Sequence, residues 1–314
     1  MSQPQVILHG GFHKTATSHV QSTLGRNSGY LAKRGVGYVH HRDTRKQLTI
    51  PCQVNAYEKL GLDWSPRISD AELAAHSKAF FDPLIASGHS RIILSDENMA
   101  GHCGHCVKRG VLYRWRRALI QNFAEQIPLP VAEVHIAVRN YADFFASAYV
   151  EYLRSVTGEW FISEEKMKRQ VLENMPSWQN VLKTIQTFFP DSRIHVWRHE
   201  DFRKLEPRLF QNLVGPDVDI SKLKPPKDGN KRPTASGRAV AELLRLIYEQ
   251  GADEALRQRV ELQERYPRGA EYGGYDPWTP QEREHLTHFY DKDVAELAAE
   301  PGLTLIRPET ASAA

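Results

Sequence analysis

Cysteine is scarce in this chain: Cys52, Cys103 and Cys106 are the only three in 314 residues, too few for a disulfide scaffold and suited to a reducing compartment. Long apolar runs are missing as well. No stretch reaches the roughly 18 residues of a membrane-spanning helix, and MSQPQVILHG lacks the basic start and apolar core of a secretory signal. A cytoplasmic protein without stable membrane insertion is the expectation. Charge of one sign is not in excess, since 41 Lys and Arg stand against 38 Asp and Glu for a net +3. That balance argues against nucleic acid as a partner and leaves room for a local cationic cleft. Neither an internal repeat nor an interdomain linker is apparent, so a single domain over 1–314 is expected. Without a heptad or a charge run, nothing specifies an oligomeric state.

What is present fits an ordinary folded chain, 41% hydrophobic and 25% charged. Apolar runs predict strands at Gln5–Gly10, Val36–Val39, "SRIILSD" ending near Ser95, Val131–Val138 and Arg193–His199. Between them, amphipathic spacing predicts helices over Ser18–Lys33, with Val20, Leu24 and Leu31 toward the sheet, from Ser69 or Asp70 onward, and over Leu112–Gln126, Tyr141–Arg154 and Asp201–Leu213. Strand and helix alternate, which predicts an α/β fold: a mostly parallel central sheet flanked by helices. Residues 40–68, punctuated by Pro51 and Pro66, read as an irregular, acceptor-facing insertion, and residues 234–300 as a helical C-terminal part.

The segment "VILHGGFHKTATSHVQSTL" leaves a strand through Gly10 and Gly11 and enters a helix past Lys14, Thr15, Thr17 and Ser18. A glycine turn ahead of a helix N-terminus offers backbone N–H groups and about half a positive charge to an anion. The residues therefore outline a phosphate cradle. The nucleoside-triphosphatase pattern GxxxxGK[ST] is absent, because Lys14 comes too early and no glycine precedes it.

"GFHKTATS" resembles the 5′-phosphosulfate loop of sulfotransferases that use 3′-phosphoadenosine 5′-phosphosulfate, whose bacterial branch commonly carries His-Lys-Thr-Gly-Thr-Thr. Here the run is His13, Lys14, Thr15, Ala16, Thr17, Ser18, with Ala16 in place of the glycine. A second match lies in "IAVRNYADFFASAY": the family holds the donor's 3′-phosphate with an arginine at a strand end and a serine in the next helix, and Arg139 and Ser147 stand in that context. "ILSDENM", "KDGNKRPTAS" and "FYDKDVAELAAEPGL" extend the likeness thinly over most of the chain. The resemblance implies a P-loop-like sulfotransferase fold and a donor site of Gly11, Phe12, His13, Lys14, Thr15, Ala16, Thr17, Ser18, Arg139 and Ser147, with Lys231 and Arg232 from a mobile clamp.

It also implies chemistry. A sulfuryl group passes from the donor to a hydroxyl, or an amine, of a carbohydrate, glycolipid or small metabolite, leaving 3′-phosphoadenosine 5′-phosphate, with no metal expected. Lys14 would stabilise the leaving phosphate, and Glu97 in "LSDEN" occupies the place of the family's base, with His13, Asp96 and His9 as alternatives. A magnesium-nucleotide-dependent kinase of a small molecule and a non-catalytic nucleotide-binding module are the competing classes. "HCGHC" at His102–Cys106 contains a dithiol-like CxxC and metal-donor types, but no second CxxC accompanies it, and it reads best as an unligated loop near the acceptor. Phe144, Phe145, Tyr149 and Tyr152 are expected to mix core packing with one rim aromatic, and Trp178 and Trp197 to be core.

Overall fold

The computed structural model describes residues 3–62, 65–227 and 234–308. Six strands form one sheet in the order β2-β3-β1-β4-β5-β6: β1 is Gln5–His9, β2 Val36–Tyr38, β3 Arg91–Ser95, β4 Val131–Val138, β5 Arg193–Arg198 and β6 Leu303–Ile306. Every pairing is parallel. The α/β expectation of a parallel sheet flanked by helices is met. β6 was not foreseen, because a four-residue edge strand carries little apolar signal of its own.

Alternation along the strands divides the core. Val6, Leu8, Ile92, Leu94, Val134, Ile136, Ile194 and Val196 face one layer of helices, including Tyr141–Ser155, Trp178–Phe188 and Pro280–Ala299. Ile7, Ile93, Ala137 and Trp197 face the other layer, where Val20 and Leu24 of helix Thr17–Arg26 and Leu205, Leu209 and Leu213 of helix Phe202–Val214 close the core. Trp178 and Trp197 are core as expected. All four aromatics Phe144, Phe145, Tyr149 and Tyr152 are buried, so none is a rim residue.

Three local expectations need correction. The helix expected over Ser18–Lys33 is two, Thr17–Arg26 and Ser28–Ala32, broken at Asn27, whose side chain bonds Thr23 O and Lys224 O instead of facing solvent. The stretch after His40 is helical: His41–Thr44 leads through a π-helical turn, Arg45–Thr49, into helix Ile50–Lys59. Pro51 misled the reading, since proline in a first turn lacks only an N–H that an isolated helix leaves unpaired. "HCGHC" is also no loop, for Cys103–Arg109 is a helix capped by His102 Nδ1, which accepts from Gly104 N at 3.2 Å.

The strand order positions the site. From β1 the chain runs outward to β2 and β3 on one side, then crosses back to β4 on the other. In such sheets ligands occupy the crevice outside the carboxyl ends of the strands where the direction reverses. The loop Gly10–Ala16 and residue Arg139 both emerge there.

Candidate functional site

Close packing and unusual dihedrals shape the loop after β1. A Cβ on Gly11 would stand 2.7 Å from His9 Nε2 and 2.8 Å from Thr17 Oγ1, so only glycine fits. Phe12 is fully buried and stacks on Tyr113 and Trp178, with ring centroids 4.9 and 5.3 Å away. Beyond this anchor, Lys14 and Ala16 take φ of 64° and 67°, the left-handed region that favours glycine. Ala16 thus occupies a conformation that a glycine would adopt without strain.

This backbone leaves a run of N–H groups without an internal acceptor among the described residues. Those of Lys14, Thr15, Ala16, Thr17 and Ser18 donate to no other group among the described residues, and they form one consecutive run at the start of helix Thr17–Arg26. The threonine hydroxyls do find acceptors: Thr15 Oγ1 donates to Phe12 O at 2.5 Å and Thr17 Oγ1 to Gly11 O at 2.6 Å. Two threonines therefore brace the loop, while the hydroxyl of the exposed Ser18 has no partner among the described residues. Consecutive N–H groups at a helix start suit an anionic oxygen cluster.

Cations flank the cradle. Arg139, directly after β4, donates from Nη1 to Lys14 O at 2.6 Å, and its buried Nε has no partner among the described residues. Burial lowers the pKa of Arg139, as it does that of His199, which follows β5 and meets the Thr15 backbone. Ser147 lies two turns into helix Tyr141–Ser155 and is half-buried. Helical spacing puts Asp143, Ser147 and Glu151 on one face, and Glu151 Oε2 reaches Lys14 Nζ at 3.3 Å. The face bearing Ser147 therefore lies against the loop. Lys231 and Arg232 lie outside the described residues.

The opposite wall comes from the connection between β2 and β3. Arg45 binds Asp96 Oδ1 at 2.7 Å and Glu97 Oε1 at 2.7 Å, while Gln21 Nε2 donates to Glu97 Oε2 at 2.9 Å and Gln53 Nε2 to Asn98 O at 2.5 Å. Burial raises the Glu97 pKa, but the Arg45 guanidinium outweighs it and holds the carboxyl down to about 2. Burial likewise pushes Asp96 up, against the pull of Arg45. His13 is held down to about 3 by burial. Asn98 Nδ2 donates to Asp96, which turns its Oδ1 toward His13 Nε2 at 3.0 Å; the ring is then an Nε2–H tautomer whose Nδ1 accepts from Tyr113 at 3.3 Å. Both ring nitrogens are occupied. His13 thus braces the wall, and Glu97 is a weakly basic carboxylate with two of its lone pairs taken.

Sequence reasoning missed Arg45, Glu151 and His199, whose partners lie 51, 137 and, for His199 and Thr15, 184 positions away along the chain. Only the bare presence of a charged residue in a predicted helix could have flagged Glu151. The cysteines take no part: burial pushes Cys103 up to about 12, and Cys106 Sγ accepts from Tyr113 N. Among the described residues, metal-donor types converge instead at Glu133, His135 and His195. There Arg91 and Arg193 already bind Glu133 at 2.9 and 2.7 Å, so an added divalent cation would meet two guanidinium charges. No helix among the described residues is long and apolar enough to cross a membrane. No protein-family model and no curated protein matches the chain.

Proposed function

We propose that this chain is a sulfotransferase that takes its sulfuryl group from 3′-phosphoadenosine 5′-phosphosulfate. The observation that carries the reading is the run of five N–H groups, Lys14 to Ser18, without an acceptor among the described residues, beside Arg139 at the switch in strand order. These groups would hold the donor's 5′-phosphate, with Ser18 adding its hydroxyl. Arg139 and Ser147 are the groups for the 3′-phosphate. In the transfer, a bond forms between the acceptor oxygen and sulfur as the bond from sulfur to the phosphate oxygen breaks, and the acceptor's proton leaves to a base. Negative charge grows on the leaving phosphate, where Lys14 and the preorganised N–H groups stabilise it. Removing Lys14 should therefore lower turnover more than donor affinity. The acceptor in this reading is a hydroxyl-bearing glycan or small metabolite, approaching past Arg45, Glu97 and His13.

A magnesium-dependent kinase is the second reading, favoured by Asp96, which follows the strand beside β1 where a metal-holding aspartate would serve. Against it, Asp96 is 1% exposed and its Oδ1 is held by Arg45 and Asn98, although Oδ2 has no hydrogen-bond partner among the described residues. Calorimetric titration with 3′-phosphoadenosine 5′-phosphate, and separately with magnesium ATP, decides between them. Metal-independent binding of the bisphosphate that weakens in Arg139→Ala is expected. Preference for magnesium ATP, with no bisphosphate bound, would sink the sulfotransferase reading.

A further inference from the structure

Glu151 is a carboxylate facing an anion cradle, a placement that repels the proposed ligand. Its side chain keeps a third of its surface exposed, and Oε2 lies 3.3 Å from Lys14 Nζ and 3.6 Å from Arg154 Nη1. Lys14 itself sits on a left-handed residue whose carbonyl is gripped by Arg139, so its backbone is fixed and only the side chain is free to redirect. Two cations thus share one carboxylate oxygen across the mouth of the site.

We infer that Glu151 is a positioning residue for Lys14: it holds the ammonium across the cleft when no anion is bound and yields it to the donor's phosphate. Arg154 makes the exchange inexpensive. When Lys14 leaves, Glu151 keeps a guanidinium partner one turn away on its own helix, so no carboxylate is stranded. The ordering of Lys14 is likewise prepared in advance, since the lysine moves between two anionic partners and never has to be recruited from solvent. A competing carboxylate also discriminates: weakly held anions, such as inorganic sulfate or phosphate, must displace it with fewer contacts than a nucleotide spanning Lys14 and Arg139 can make.

This inference rests on the loop being a donor site, and its test separates the two. The bisphosphate 3′-phosphoadenosine 5′-phosphate is titrated into the wild type, Glu151→Gln, Lys14→Met and the double variant, with folding checked by circular dichroism. A partly exposed ion pair contributes modestly, so Glu151→Gln should bind roughly two- to fivefold tighter than wild type. In the Lys14→Met background the same change should gain little, because the partner through which Glu151 acts is gone. An equal gain in both backgrounds would mean only a long-range charge effect and would overturn the inference, as would unchanged or weaker binding by Glu151→Gln. If neither wild type nor Glu151→Gln binds the bisphosphate at all, the donor-site reading falls and takes this one with it.

Discussion

Acidification should loosen this protein through a histidine beneath the anion loop. His9 closes β1, is 1% exposed, and hydrogen-bonds Ser95 Oγ from Nδ1 at 2.8 Å. Burial, with help from His135, depresses its pKa from 6.5 to about 3. The unfolded chain takes up a proton at this residue below pH 6.5, whereas the folded chain refuses it until about pH 3. Stability is therefore lost as pH falls between those values, with a limiting slope of about 1.4 kcal/mol per pH unit for one fully neutral site. From pH 7 to 5.5 the loss from His9 alone integrates to about 1.3 kcal/mol. Glu97 and Glu133, both held near 2, change nothing in this window because their unfolded values lie below it. Urea unfolding at the two pH values, on wild type and His9→Asn, isolates the effect. Asparagine keeps a polar atom opposite Ser95 and cannot titrate; it starts less stable for want of ring volume. His13, His41, His105 and His195 are also depressed, and their shared contribution cancels in the comparison. The variant should lose about 1.3 kcal/mol less than wild type over that pH range. Equal losses would refute the buried, neutral state of His9.

Ala16→Gly should raise thermal stability by roughly 0.5–1 kcal/mol, the relief of a left-handed alanine less the greater freedom of glycine when unfolded. A lower unfolding temperature would contradict the φ of 67° at this position. Glu133→Gln should destabilise by about 3 kcal/mol, because Arg91, only 17% exposed, loses its carboxylate partner while still held by Asn212 O and Leu213 O. Denaturant midpoints at neutral pH check the loss, and a change within 0.5 kcal/mol of wild type, about the scatter of surface substitutions, would deny the clamp.

The sheet was legible because β1, β3, β4 and β5 are short apolar runs bounded by turns, and burial on both faces of a parallel sheet demands little else. Lys14 and Arg139 were legible for a related reason: Arg139 follows β4 directly and Lys14 stands five residues past the end of β1, so strand prediction carries both toward the same edge. Spacing could not show which way side chains turn. Thr15 and Thr17 were expected to serve a phosphate, and their hydroxyls instead satisfy carbonyls within their own loop. Glu97, the expected base, stands two residues past β3, and its grip by Arg45 depends on a helical turn read as irregular. Even the alanine in place of glycine had more consequence than its chemistry announced, since a methyl group costs little until the backbone reaches positive φ.

The connection from β2 to β3 supplies Arg45 and Gln53 to one wall of the cleft, while β1 and β4 supply the cradle on the other. The two walls are thereby separable in the chain. Substitutions within residues 40–59 reshape one wall without touching the strands that lead to Lys14 and Arg139. Under the proposed function, that one segment would tune the choice of acceptor while the anion cradle stays as it is.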